Sequence, residues 1–306
     1  MRVFRGLPAA ADREVALTIG NFDGVHRGHQ AMLARLIEAA DDLALASAVL
    51  TFDPHPREFF APHAAPPRLS TLRGKLERFA AQGIERVYVA RFDGALAGLA
   101  PEAFIDEVLV RRLGARWVLV GEDFRFGKAR AGDLAALRGV ARSFSVEAMR
   151  TVAVDGERAS STTVRDALAT GDFVRATALL GRPYTLAGRV AHGAKLGRTL
   201  GFPTANLRLK QRPPLTGVFA VRVHGIAAEP RAGVASLGVR PTVTERGAPL
   251  LEVFLFDFDE PLYGRRIVVE FLHKLRDEAR FPDLDALTRQ MHRDAAEARE
   301  FFAAGR

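Results

Sequence analysis

The chain has 306 residues, a formal net charge of +8 and 48% hydrophobic residues, enough for two domains that each bury a core. It contains no cysteine, which excludes disulfides, thiolate metal sites and cysteine nucleophiles. Its longest nearly apolar run, LALASAVLTF at 43–52, is too short to cross a bilayer, so no membrane partner is expected. The opening MRVFRGLPAAADREV lacks the continuous apolar segment of a secretory signal and reads as mature sequence, which gives a cytoplasmic expectation. A basic balance suits nucleic acid, an acidic membrane face or polyphosphate substrates. The arginines are scattered, so they read as solvated or substrate-steering charge, and no nucleic-acid partner is expected.

Strands are predicted at 15–20, 45–52, 85–91, 116–121 and 146–154, with helices near 27–40, 70–82, 101–113 and 132–142 between them. Ser70 is read as the cap of the second helix and Gly83 as its end, while Pro101 suits a first turn and Gly114 follows its helix. This alternation predicts an α/β domain, a parallel sheet with helices on both faces. Further helices are expected near 162–169 and 172–180, and Gly181, Arg182 and Pro183 mark a boundary that divides the chain into 1–181 and 182–306. Beyond it, short strands at 184–191, 204–209, 217–223, 232–238, 250–258 and 265–272 predict an antiparallel sandwich or small barrel. A final helix should run from an Asp283 cap through Phe302, with Leu284, Leu287 and Met291 facing inward.

The first of these strands leads into GNFDGVHRGH at 20–29, a turn at the carboxyl end of a strand, where an α/β sheet holds its ligands. Helix N-H groups there suit an anion, Gly20 and Gly24 let the backbone come close, and Phe22 and Asp23 belong to the same candidate ATP-phosphate turn. His26 and His29, three apart, share one face of the helix start and can stabilise charge on a leaving pyrophosphate. Two other readings stay open: a plain turn with Asp23 as a cap and surface histidines, and a zinc site drawn from His26, His29, Asp53 and His55. Neither the dinucleotide fingerprint nor the Walker A loop is present in this turn.

GNFDGVHRGH resembles the first motif of the bacterial bifunctional riboflavin kinase and FAD synthetase family, whose N-terminal half is a nucleotidylyltransferase with a His-x-Gly-His signature, here His26, Gly28 and His29. TFDPHP at 51–56, GEDFRFGKARAGD at 121–133 and SSTTVR at 160–165 match family blocks in the same order. By itself SSTTVR reads as a helix cap, and Phe124 and Phe126 either stack on a ligand or pack. The resemblance implies that Thr162 and Arg165 hold nucleotide phosphates and that Asp123 and Phe124 border a flavin. It alone singles out Asp53 and His55.

In the second half, GAKLGRTLGFPTAN at 193–206 has spaced glycines that suit either bulges or a loop over ATP phosphates, with Gly193, Lys195 and Gly197 as candidate contacts. Thr204 and Asn206 alternate along one strand, so both oxygens face one side and can hold hydrated Mg²⁺. The segment is similar to the riboflavin kinase Pro-Thr-Ala-Asn element, and ASLGVRPT at 235–242, LEVFLFDFDEPLYGRRI at 251–267 and LRDEARF at 275–281 continue the family order. Glu252 reads as a surface strand residue until this match implies that it is the general base. Arg276 and Phe281 read equally as a salt bridge and a core aromatic or as borders of the flavin site. Ala159, Phe219 and Phe254 depart from the family's usual residues and put only local packing in doubt.

The resemblance implies a Rossmann-like nucleotidylyltransferase domain followed by an antiparallel β-barrel kinase domain with a C-terminal helix. It implies riboflavin, FMN and ATP as substrates, FAD as product, and Mg²⁺ as cofactor. Weak self-association is compatible with it. A flavin-responsive nucleic-acid binder and an enzyme with one vestigial half are the competing readings.

Overall fold

The computed structural model describes residues 1–140, 143–192, 201–239 and 249–305. By contacts the chain falls into two compact units: Met1–Pro66 with Ser70–Ser160, and Pro67–Leu69 with Ser161–Arg306.

The first unit is built on a sheet of β1 (Arg2–Arg5), β2 (Val15–Ile19), β3 (Ala46–Phe52), β4 (Arg86–Ala90), β5 (Ala115–Gly121) and β6 (Ser145–Met149), all paired in parallel in the order β1-β4-β3-β2-β5-β6. Every residue of β2 is buried, because a parallel sheet is covered on both faces. Alternation then divides its side chains. Val15, Leu17 and Ile19 enter a core with Phe104, Ile105 and Val108, while Ala16 enters another with Leu33, Leu36 and Phe79. Thr18, fully buried, is satisfied by donating its hydroxyl to Leu119 O at 2.9 Å. The Arg27–Asp42 and Leu72–Ala81 helices supply the Phe79 layer, and the Pro101–Ala103 turn running into the π-type helix Phe104–Arg112 supplies the other.

Chain order along the sheet reverses between β2 and β5, which are direct neighbours. A crevice opens outside the carboxyl ends of strands at such a reversal, so the segments after Ile19 and Gly121 are the two that flank it. Several local expectations change. Leu72–Ala81 is capped by Thr71, whose hydroxyl accepts from Gly74 N, and not by Ser70. The expected strand at 146–154 ends at Met149. Its tail pairs as β7 (Ala153–Val154) with β8 (Glu157–Arg158), because Asp155 and Gly156, both at positive φ, form the tight turn of a hairpin.

In the second unit, β9 (Tyr184–Ala191), β10 (Thr204–Arg208), β11 (Gly217–His224), β12 (Arg231–Val239), β13 (Pro249–Leu255) and β14 (Arg266–Arg276) close an antiparallel barrel, ordered β10-β13-β12-β11-β14-β9. Phe219, Val221 and Val223 are wholly buried on one face of β11. On the other face Ala220 joins Ala298 and Phe256 beneath the helix Leu284–Ala303. Asp283 caps that helix by accepting from Ala286 N at 2.7 Å. Leu287 and Met291 face inward as expected, but Leu284 is 52% exposed because it sits in the first turn, ahead of the residues that meet the barrel.

The helices Ser161–Thr170 and Phe173–Leu180 cluster with the barrel, whereas the sequence reading put the boundary after Gly181. Phe173 is the anchor: its ring lies 5.8 Å from Phe219 and 6.5 Å from Phe271. Among the described residues no helix is long and apolar enough to cross a membrane.

Candidate active sites

The turn after β2 is tied down on every side. Gly20 N donates to Leu50 O at 3.0 Å, and Phe22, Gly24 and Val25 all take positive φ. Left-handed backbone is costly for a β-branched residue, and it persists at Val25 because the side chain is locked in the core at 1% exposure. Asp23 does not cap the following helix. Its Oδ1 accepts from Ser70 N at 3.0 Å and Ser70 Oγ at 3.1 Å, while Gly24 N donates to Ser70 Oγ at 3.0 Å. Phe22 is a core residue whose ring sits over Gly20, where a Cβ would meet it at 3.1 Å, and edge-on to Phe79 at 5.3 Å. Its backbone alone is left to meet a phosphate.

His26 is the N-cap residue of Arg27–Asp42 but makes no side-chain cap bond, and the first turn holds no acidic residue. This helix end therefore offers N-H groups and the positive end of its dipole to an anion. The His26 and His29 rings stack at 3.7 Å between centroids. Gly28 makes this possible, since a Cβ there would lie 3.1 Å from Ala159 O and 3.2 Å from the His26 ring. Burial holds the His29 imidazole well below its ordinary range, with the His26 and Lys75 charges adding to the effect. His29 Nδ1 is enclosed and has no hydrogen-bond partner.

Across the reversal, the loop after β5 carries Asp123, exposed and paired with Arg158 at 2.6 Å, and Phe124, stacked on Phe126 at 5.5 Å. The outlying candidates do not converge on a metal. His55 caps the short helix Pro56–Phe60: its Nδ1 accepts from Arg57 N at 3.1 Å and its N-H donates to Glu58. Among the described residues no three of His, Asp and Glu come together as a metal cluster. Thr162 and Arg165 lie inside the Ser161–Thr170 helix in the second unit, where Arg165 Nε donates to Pro67 O at 2.7 Å.

The second site is set by barrel register. Asn206 on β10 pairs directly with Glu252 on β13, and Glu252 pairs with Ser236 on β12, so the three side chains share a face. Thr204, two residues from Asn206, joins them. Asn206 is 6% exposed. Its Nδ2 donates to Thr204 O at 3.1 Å, while Oδ1 is buried with no partner. A buried acceptor without a donor is costly unless a ligand completes it. Thr204, Ser236 and Glu252 line an open pocket of about 260 Å³ with Phe202, Phe254 and Phe281, against the inner face of Leu284–Ala303. Arg276 also lines it, gripped by Asp294 through two bonds of 2.8 and 2.7 Å and lying 5.7 Å from the Phe281 ring. Gly193, Lys195 and Gly197 lie outside the described residues.

Two family models divide the chain as its two sites do: FAD synthetase matches residues 9–163 and riboflavin kinase matches 180–302. Bifunctional riboflavin kinase/FMN adenylyltransferases from Pseudomonas fluorescens and Haemophilus influenzae are 49% and 45% identical to it, each over 99% of this chain and 98% or more of their own length. The chain belongs to this bifunctional family. A solved structure described as a macrolide-efflux protein from Streptococcus pneumoniae also matches, with a TM-score of 0.79 and 28% identity over 95% of this chain and 97% of that one.

Within this family frame, sequence reasoning missed Ser70, Ser236 and Asp294. Ser70 and Asp294 serve side chains that were singled out, yet their partners lie 47 and 18 positions away, beyond any local spacing rule. Ser236 was within reach, because the block ASLGVRPT contains it. Phe254 packs edge-on to Phe202 at 4.8 Å and makes that side of the pocket apolar.

Proposed function

We propose that the barrel phosphorylates riboflavin with ATP to give FMN and that the parallel-sheet unit then transfers AMP from a second ATP to FMN, giving FAD and pyrophosphate. The observation that carries this reading is the register that sets Asn206 opposite Glu252 with Ser236 beside them at the mouth of an aromatic pocket. In the first step the Glu252 carboxylate takes the proton of the terminal ribityl hydroxyl as that oxygen attacks the γ-phosphorus, and ADP leaves. Phe202, Phe254 and Phe281 give the isoalloxazine ring apolar walls, and Arg276 is held against Phe281 by Asp294.

The orphaned Asn206 Oδ1, with the Thr204 hydroxyl on the same strand face, suits a hard cation with oxygen ligands, so these two residues would hold Mg²⁺. When bound, the ion neutralises charge on the ATP phosphates.

In the second step a phosphate oxygen of FMN attacks the α-phosphorus of ATP, and the bridging oxygen departs with pyrophosphate. That nucleophile is already anionic, so positioning and charge stabilisation matter more than a base. His26, His29 and the N-terminus of Arg27–Asp42 face the departing phosphates, with the Gly20 to Gly24 turn beneath the nucleotide. Asp123 and Phe124 border the flavin. The protein acts on small molecules in the cytoplasm. Supplying riboflavin, ATP and Mg²⁺ and separating the flavins by chromatography tests the reading: FMN followed by FAD is expected, and folded protein that forms neither overturns it.

A further inference from the structure

The two steps above leave Ser236 without a task, although it lines the barrel pocket. The ladder lays that site out as a row across the strands: Asn206 on β10 pairs with Glu252 on β13, Glu252 with Ser236 on β12, and Ser236 with Val218 on β11, which pairs with Arg276 on β14. Directly opposed side chains on one face stand roughly 5 Å apart, so the row advances one strand at a time. The pocket runs along it from Glu252 over Ser236 to Val218 and Arg276. The row therefore has a direction. The cation ligands proposed on β10 put the phosphoryl donor at one end, the base on β13 takes the attacking hydroxyl, and the rest of the acceptor has its room over β12. Along β12 itself, Val234 faces Phe254 across the ladder, and Gly238 lies under the Glu278 carboxylate, which a Cβ there would strike. Arg276 and Asp294 hold each other. The Ser236 hydroxyl is thus the polar group next to the base on the acceptor's path.

We propose that Ser236 sets the acceptor's class by binding the ribityl hydroxyl adjacent to the one that attacks, so that the barrel selects a polyhydroxylated side chain over a simple primary alcohol. The inference rests on the reading of Glu252 as the base. With the terminal hydroxyl at Glu252, the next carbon of the chain carries its own hydroxyl toward β12. A serine hydroxyl both donates and accepts, as that alcohol does, so the two can pair whichever way the protons point, whereas a carboxylate only accepts. The walls around them are Phe202, Phe254 and Phe281, where a hydroxyl stripped of water and left unpaired is costly. Ser236 offsets that cost for a polyol. An acceptor that lacks the adjacent hydroxyl leaves Ser236 unpaired beneath it, which is how the site rejects it.

The test uses the full chain with ATP and Mg²⁺ and follows phosphorylation of riboflavin, of 4′-deoxyriboflavin, which lacks the hydroxyl beside the attacking one, and of 2′-deoxyriboflavin, which lacks the most distant. The parent should use 4′-deoxyriboflavin with a kcat/KM ~10-fold below that for riboflavin. Ser236→Ala should lower kcat/KM for riboflavin and 2′-deoxyriboflavin by the same ~10-fold, chiefly through KM, and leave 4′-deoxyriboflavin within about 2-fold of the parent, so that only the 4′ preference disappears. A merely structural role would lower all three alike and would overturn the proposal. Ser236→Thr, which keeps the hydroxyl, should keep the preference. A parent that uses 4′-deoxyriboflavin as well as riboflavin, or a Ser236→Ala protein that still prefers riboflavin, contradicts it. Should Ser236→Ala not fold, the parent and Ser236→Thr decide: a 4′ preference in both supports the proposal, and its absence from either overturns it. Glu252→Gln separates the two readings. If it phosphorylates riboflavin at the parental rate, the base is misassigned and the reading falls with the inference; if it is inactive while Ser236→Ala matches the parent on all three flavins, only the serine inference falls.

Discussion

The two units place chemistry on backbone in opposite ways. In the parallel-sheet unit the candidate groups lie on a turn beyond the strand, held in left-handed conformations at Phe22 and Val25 by core packing and the Asp23–Ser70 bonds. In the barrel, Thr204, Asn206, Ser236 and Glu252 are themselves strand residues, and ladder register alone brings them together. A turn lets helix N-H groups aim at a phosphate, which suits a reaction dominated by a leaving anion. A ladder fixes a base and an oxygen ligand at adjacent positions, which suits a reaction that must remove a proton.

The largest effects should divide along that line. His29→Ala should cut FAD formation from FMN by ~10²-fold or more and spare phosphorylation, and Glu252→Gln should do the reverse. If both variants lose the same step, the division between turn and ladder is broken. Asn206→Ala sharpens the ladder half: phosphorylation should fall ~10-fold at limiting Mg²⁺ and recover in part as the ion is raised, in a titration of initial rate against Mg²⁺. No dependence on the ion concentration beyond that of the parent would remove Asn206 from the metal site. A smaller, structural effect is expected at Asp294, which is 3% exposed and grips Arg276 with both oxygens. Asp294→Asn leaves the guanidinium partly uncompensated and should destabilise the barrel by about 3 kcal/mol in denaturant unfolding, with the riboflavin KM rising more than kcat falls.

Much of this was legible in the sequence. Largely apolar runs such as VALTI announced buried parallel strands, and alternating valines and phenylalanines announced the barrel. Strand β1 escaped because RVFR buries only Phe4, and even that only in part, on the sheet's outer edge. The hairpin at Asp155–Gly156 escaped because its flanking residues continue a strand-like pattern, although the Asp-Gly pair was the signal that could have found it. His26, His29, Thr204, Asn206 and Glu252 were found from local motifs. Asp294 was not, because a buried charge acquires its meaning only from partners that the fold brings in from elsewhere.

The central claim is that two independent sites share one chain and hand over FMN. Mixing His29→Ala with Glu252→Gln, each shown first to retain its own step, tests it most directly. Neither variant should make FAD from riboflavin, ATP and Mg²⁺ alone, and the mixture should make it. FAD from either variant alone, or none from the mixture, would contradict the account.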